Sequence, residues 1–184
     1  MDKYKELTAK GKDEYLKVLE QIGWFKFPHN KKEEIAAKLD NQEKADDFVL
    51  ALSALSFDAS LLEDEMQYES LMQDVINVSE ISIKNKRIDY LATSDTFKFN
   101  IKTEDNTYQY HLRMDDYGDW LEDDNLLNAY VNKRVLRGEK VEGRFLPIPS
   151  TCDKKMQFVF ITKKIYKKAV DTGIIPGDLT YFND

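Results

Sequence analysis

Sulfur and imidazole are scarce in this chain. One cysteine, Cys152, excludes an intrachain disulfide, and with only His29 and His111 beside it a thiolate and imidazole zinc site has too few ligands. A lone thiol suits a reducing compartment. The seven glycines are dispersed, so neither a dinucleotide fingerprint nor a phosphate-cradling loop can be drawn. No serine sits in a Gly-x-Ser-x-Gly elbow, and Cys152, in Pro149-Ser150-Thr151-Cys152-Asp153-Lys154, has no helix start beneath it to make it a nucleophile. No run of 18 apolar residues occurs, and Met1 to Glu6 alternates charged and apolar residues instead of forming the apolar stretch of a signal peptide. The expectation is a cytoplasmic protein with no membrane segment and no cofactor.

What is present is enough for a core. Hydrophobic residues make up 42% of 184, so apolar burial can offset chain entropy, and one α+β domain over 1–184 is expected. Its helical subregion covers 1–79 and its sheet-containing subregion 80–184. About four helices open the chain. One runs from Glu6 to Gln21 with Gly23 as its stop, and a second is capped by Asn30 and carries Ile35, Ala36 and Leu39. A third spans Glu43 to Ser56 and is apolar almost all round. The fourth spans Leu61 to Val78, with Leu62, Met66, Tyr68, Leu71, Met72, Val75 and Ile76 on one stripe and acids on the rest. Trp24, Phe25 and Phe27 between the first two helices read as a core plug.

The period changes to two after Ser82. Phe97, Phe99 and Ile101 alternate with Lys98, Asn100 and Lys102, and Tyr108, Tyr110, Leu112 and Met114 alternate with Gln109, His111 and Arg113. A hairpin with Asp105-Asn106 as its tight turn sets Ile101 against Tyr110, Phe99 against Leu112 and Lys98 against Arg113. A helix from Asp123 or Asp124 to Arg137, an edge strand at Arg144 to Ile148 flanked by Pro147 and Pro149, a central strand at Met156 to Ile161, and a helix from Lys163 to Asp171 complete the chain. The expected architecture is N-terminal helices followed by an antiparallel sheet of four to five strands and two further helices.

Charge is segregated. Ala45 to Ile83 holds nine acidic residues and no base; Asp115 to Asp124 adds six more, again without a base; Lys133 to Lys168 holds eleven bases against three acids. The net charge of −7 disfavours direct nucleic-acid binding. The acids Asp115, Asp116, Asp119, Glu122, Asp123 and Asp124 miss the calcium-loop pattern because Trp120 stands at the glycine position, so no metal is assigned. With Tyr117 and Trp120 as anchors they read either as a solvated turn and helix cap or as a contact surface for a basic protein. Lys98, Lys102, His111 and Arg113 form a basic strip on the hairpin's polar face, which is either an ordinary solvated face or a seat for a small anion. The leading expectation is a non-enzymatic protein-binding module, an inhibitor or immunity-type protein that neutralises a basic partner such as a nuclease toxin. The alternative is a small enzyme or ligand-binding domain that takes an anionic molecule on the hairpin.

Overall fold

A computed structural model describes residues 2–113, 126–149 and 155–177 of the chain. The fold is α+β, with two three-stranded antiparallel sheets. Its residues gather into two compact units, Met1–Ser56 with Leu146–Thr151 and Gln157–Asp184, and Phe57–Phe145 with Cys152–Met156.

In the first unit the single expected opening helix is two. Asp2 caps α1 (Lys3–Thr8) by accepting from the Tyr4 and Lys5 amides at 3.2 and 3.4 Å, and Gly11, at φ +90°, separates it from α2 (Lys12–Ile22). Gly23, at φ +85°, stops α2 where expected. A short 3₁₀ turn, Trp24–Lys26, follows, and Trp24 is fully buried as a core plug. Asn30 is not the cap of α3 (Lys32–Asp40). It is buried, and its Nδ2 donates to the Trp24 carbonyl at 3.3 Å, which leaves Lys31 as a cap without a side-chain bond.

The third expected helix is also corrected. Residues Ala45–Leu52 wind as a 3₁₀ helix, and Leu55–Asp58 form β1. The Tyr4 hydroxyl explains the local change: it takes the Val49 amide proton at 3.0 Å and donates to the Ala45 carbonyl at 3.4 Å, occupying the two groups that an α-helical turn would pair with each other. Phe48, Val49, Ala51 and Leu52 are nonetheless buried, as an all-round apolar segment requires.

Strands β5 (Arg144–Pro147) and β6 (Lys155–Ile161) form the sheet β1-β6-β5, with β6 central and the proline-flanked β5 at an edge. Helix α5 (Lys163–Asp171) has the expected bounds. Thr162 caps it, accepting from the Ile165 amide at 3.3 Å; Tyr166, Ala169 and Val170 face the core, and Lys163, Lys164, Lys167 and Lys168 face out. Tyr15 reaches across this core to donate to the Ile174 carbonyl at 2.8 Å.

The second unit begins with the 3₁₀ turn Ala59–Leu61 and α4 (Glu65–Ser79), whose start is a capping box between Asp64 and Gln67. Strands β2 (Asn85–Leu91), β3 (Thr96–Lys102) and β4 (Thr107–Arg113) form a meander in that order. Among the described residues six strands in two sheets replace the single sheet of four to five; residues 55 and 56, read as the end of a helix, join 57 and 58 in an extra strand.

Gly173 supplies a direct test of the first unit. It sits at φ +80°, and a Cβ there would lie 2.5 Å from the Lys3 carbonyl oxygen, backbone that has no rotamer with which to yield. Gly173→Ala is expected to lower stability by about 1–3 kcal/mol, measured by urea unfolding.

Candidate functional site: the open sheet face and the carboxylate that sets its register

One face of the β2–β4 sheet is covered by helices. Tyr68 of α4 packs on Phe97 and Phe99 with ring centroids 4.7 and 5.4 Å apart, and Phe99 packs on Tyr130 at 6.2 Å. Tyr130 belongs to a π-helix, Leu126–Leu136, where an α-helix beginning at Asp123 or Asp124 is expected; those two acids lie outside the described residues. The buried positions explain the winding. Leu126, Tyr130 and Val135, and Leu127, Val131 and Leu136, recur in steps of four and five, which i→i+5 turns keep on one side. Within that helix buried Asn132 accepts from the Phe145 amide at 2.9 Å and donates to the Phe145 carbonyl at 2.8 Å.

Both sheet edges are capped by helix side chains. Glu65 accepts from the Tyr90 amide on β2 at 2.5 Å, Tyr130 donates to the Tyr108 carbonyl on β4 at 2.9 Å, and Arg134 donates to that of Gln109 at 3.2 Å. Tyr110 stacks on Tyr130 at 5.3 Å and 18°, with the Arg134 guanidinium 5.9 Å above the Tyr110 ring.

The hairpin register differs from the expected one by two residues. Phe99 opposes Tyr110, Ile101 opposes Tyr108 and Phe97 opposes Leu112, so the turn centres on Glu104-Asp105. A shift of two keeps every side chain on its face, so hydrophobic alternation cannot distinguish the two registers. What selects the observed one is Glu139. One oxygen of its carboxylate accepts from Thr103 Oγ1 at 2.9 Å, Asn106 Nδ2 at 3.0 Å and the Tyr108 hydroxyl at 2.6 Å. The Asn106 amide also donates to Thr103 Oγ1 at 3.1 Å, and the Thr103 amide to the Asn106 carbonyl at 2.9 Å. These groups converge only when Thr103 and Asn106 flank the turn. Neighbouring Gly138 is required because a Cβ there would stand 2.1 Å from the Tyr108 hydroxyl.

The same contacts shift two ionisations. Desolvation opposes the Glu139 charge, but bonds from Tyr108, Asn106 and Thr103 outweigh it and hold the carboxyl below its usual range. Desolvation first, and then the bond and charge of Glu139, push the Tyr108 hydroxyl up to about 12.

The opposite face of this sheet carries the predicted basic strip. Lys98 stands directly opposite His111, not Arg113; Arg113 opposes Thr96, and Lys102 opposes Thr107. Lys98, His111 and Arg113 are therefore brought together, while Lys102, four residues along the strand, lies about 13 Å from Lys98. The like-charge opposition of Lys98 and Arg113 does not arise. On β2, Asp89 sits beside Lys98 but is paired with Arg87 at 2.7 Å. Lys98, Lys102, His111 and Arg113 make no side-chain hydrogen bond or ion pair among the described residues. The amides of Asn100 and Gln109 form the next row of the same face.

The other predicted surface, Asp115, Asp116, Tyr117, Asp119, Trp120, Glu122, Asp123 and Asp124, lies outside the described residues, as does Cys152. Among the described residues no group of three or more His, Cys, Asp or Glu side chains is placed to hold a metal ion, and no helix is long and apolar enough to cross a membrane. The expected acidic face of α4 is present, with Glu65, Glu69 and Asp74 exposed. Met66, expected on the buried stripe, is 74% exposed instead. Sequence reasoning missed Glu139 altogether, since a single acid in a basic stretch carries no periodic signal. No known protein family, curated protein or solved structure matches this chain.

The Tyr108–Glu139 pair predicts a two-sided pH response. Tyr108 is raised in the fold, so its contribution is complete below about pH 10 and is lost as pH rises to about 12. Glu139 is lowered, so its contribution is present above the ordinary carboxylate range and is lost as pH falls through its folded value. Thermal melts across pH should show the alkaline loss shrink in Tyr108→Phe and the acid loss shrink in Glu139→Gln.

Proposed function

We propose that this protein is a non-enzymatic binding module that engages a basic protein through its acidic surface, in the manner of an inhibitor or immunity protein acting on a nuclease toxin. The reading is supported by the exposed acids Glu63, Asp64, Glu65, Glu69 and Asp74 in and before α4, within a tract that holds no lysine or arginine. A concentrated negative field imitates a phosphate backbone, speeds encounter with a cationic surface and repels acidic competitors. Asp115 to Asp124 adds carboxylates together with Tyr117 and Trp120, residue types that bury large area with little rotamer loss. Localisation in the cytoplasm accords with the single cysteine.

A second reading, recognition of a small anion, draws support from the register that joins Lys98 to His111 and leaves Asp89 neutralised by Arg87. It places Lys98, His111 and Arg113 around the ligand, with Lys102 further along the same face.

Co-purification from the native host, followed by binding assays on the isolated pair, separates these readings. Under the first, Glu63→Lys, Glu69→Lys and Asp74→Lys combined with Asp119→Lys, Asp123→Lys and Asp124→Lys weaken the complex at least about tenfold at low salt and flatten its remaining salt dependence; an unchanged complex at low salt removes that reading. Under the second, His111→Ala with Arg113→Ala lowers affinity for pyrophosphate by about tenfold or more, measured by calorimetry, and an unaltered affinity removes it.

A further inference from the structure

The large hydrophobic side chains that stand exposed among the described residues are Leu61 (60%), Met66 (74%), Tyr90 (42%) and Leu91 (38%). All four belong to the second unit, and one hydrogen bond brings the start of α4, with Met66, to the end of β2, with Tyr90; Leu91 alternates with Tyr90 and turns to the other face of the sheet. The Tyr90 amide donates to Glu65, so Met66 and Leu91 are the chain neighbours of the two bonded residues, and Leu61 is four residues before Glu65. Lys86 donates to the Glu69 carbonyl and to Gln73 Oε1, both at 2.9 Å, which runs α4 antiparallel to β2 and leaves the start of the helix against the end of the strand. The patch continues inward, because the Tyr90 ring lies 5.1 Å from Phe97 in the aromatic core. Its rim is acidic: Glu63, Asp64, Glu65 and Asp95 are exposed there, and Asp95 accepts from the Tyr90 hydroxyl at 2.5 Å.

We infer that this corner is a docking surface for a basic amphipathic segment of another protein, apolar side chains seating on Leu61, Met66 and Tyr90 and cations meeting the acidic rim. This rests on the protein-binding reading above and names a surface and partner chemistry for it. A clustered apolar patch inside a polar rim is the anatomy of a recognition surface, and the sign of the rim selects the partner. A second copy is disfavoured by charge, since a two-fold contact sets each patch against itself and would bring Glu63, Asp64, Glu65 and Asp95 against their equivalents.

The test uses two peptides of about 18 residues and equal positive charge, one of lysine with leucine at helical spacing and one of lysine with serine, titrated into the full chain at low salt and followed by fluorescence anisotropy. The lysine–leucine peptide is expected to bind at least about tenfold more tightly. Leu61→Ser with Met66→Ser should erase that difference while leaving the lysine–serine affinity unchanged; both residues are exposed, and circular dichroism checks that the variant folds. Equal affinities of the two peptides for the native chain, or a difference that survives in the variant, overturn the docking surface while the acidic reading stands. Failure of both peptides to bind overturns both. Self-association of the native chain in sedimentation, lost in the variant, assigns the patch to a second copy and overturns the proposal.

Discussion

A single carboxylate oxygen organises the second unit. Glu139 receives hydroxyl, amide and phenol protons from Thr103, Asn106 and Tyr108, and so fastens the β3–β4 turn to the end of the π-helix. An acceptor that gathers three donors at partly buried positions would be costly to desolvate without them, and its depressed ionisation reflects their combined strength. Because the turn is held there, every cross-strand pair above it is determined, including the row that places His111 beside Lys98. The basic face thus depends on an acid on the other side of the hairpin.

The aromatic residues transmit that constraint through the layer. Tyr108 donates to Glu139 while its carbonyl accepts from Tyr130, and Tyr130 in turn touches Phe99 and Tyr110. Phe99 meets Tyr68 of α4, and Tyr68 meets Phe97, against which Tyr90 packs at the exposed corner. Large rings with few rotamers fill this layer without leaving the sheet free to slide. The unusual winding of residues 126–136 belongs to the same packing, since it keeps both Tyr130 and Asn132 turned inward.

Where pattern carried information, it was local and periodic. The bounds of α5, the central place of β6 and the edge place of β5 followed from amphipathic spacing, a glycine stop, a continuous apolar run and two prolines. The division of Lys98, His111 and Arg113 from Phe97, Phe99 and Ile101 followed from alternation alone. Charge segregation was equally legible, because counting needs no fold. The exposure of Met66 follows from helical spacing too, once α4 is known to start at Glu65: Glu69, Ser70 and Gln73, on the same face, are exposed, while Tyr68, two residues on, turns away from it.

By itself the sequence determined the α+β class, the faces of the hairpin and the sign of each charged tract, all of which depend on short-range periodicity and composition. Tertiary structure decided the rest. It turned residues 45–52 into a 3₁₀ helix through the Tyr4 hydroxyl, drew β1 out of an apolar run, and moved the hairpin by two residues to satisfy Glu139. The physical reason is common to these cases. Each alternative satisfies the local pattern about equally well, and a partner distant in sequence, supplying one hydrogen bond or one steric boundary, separates them.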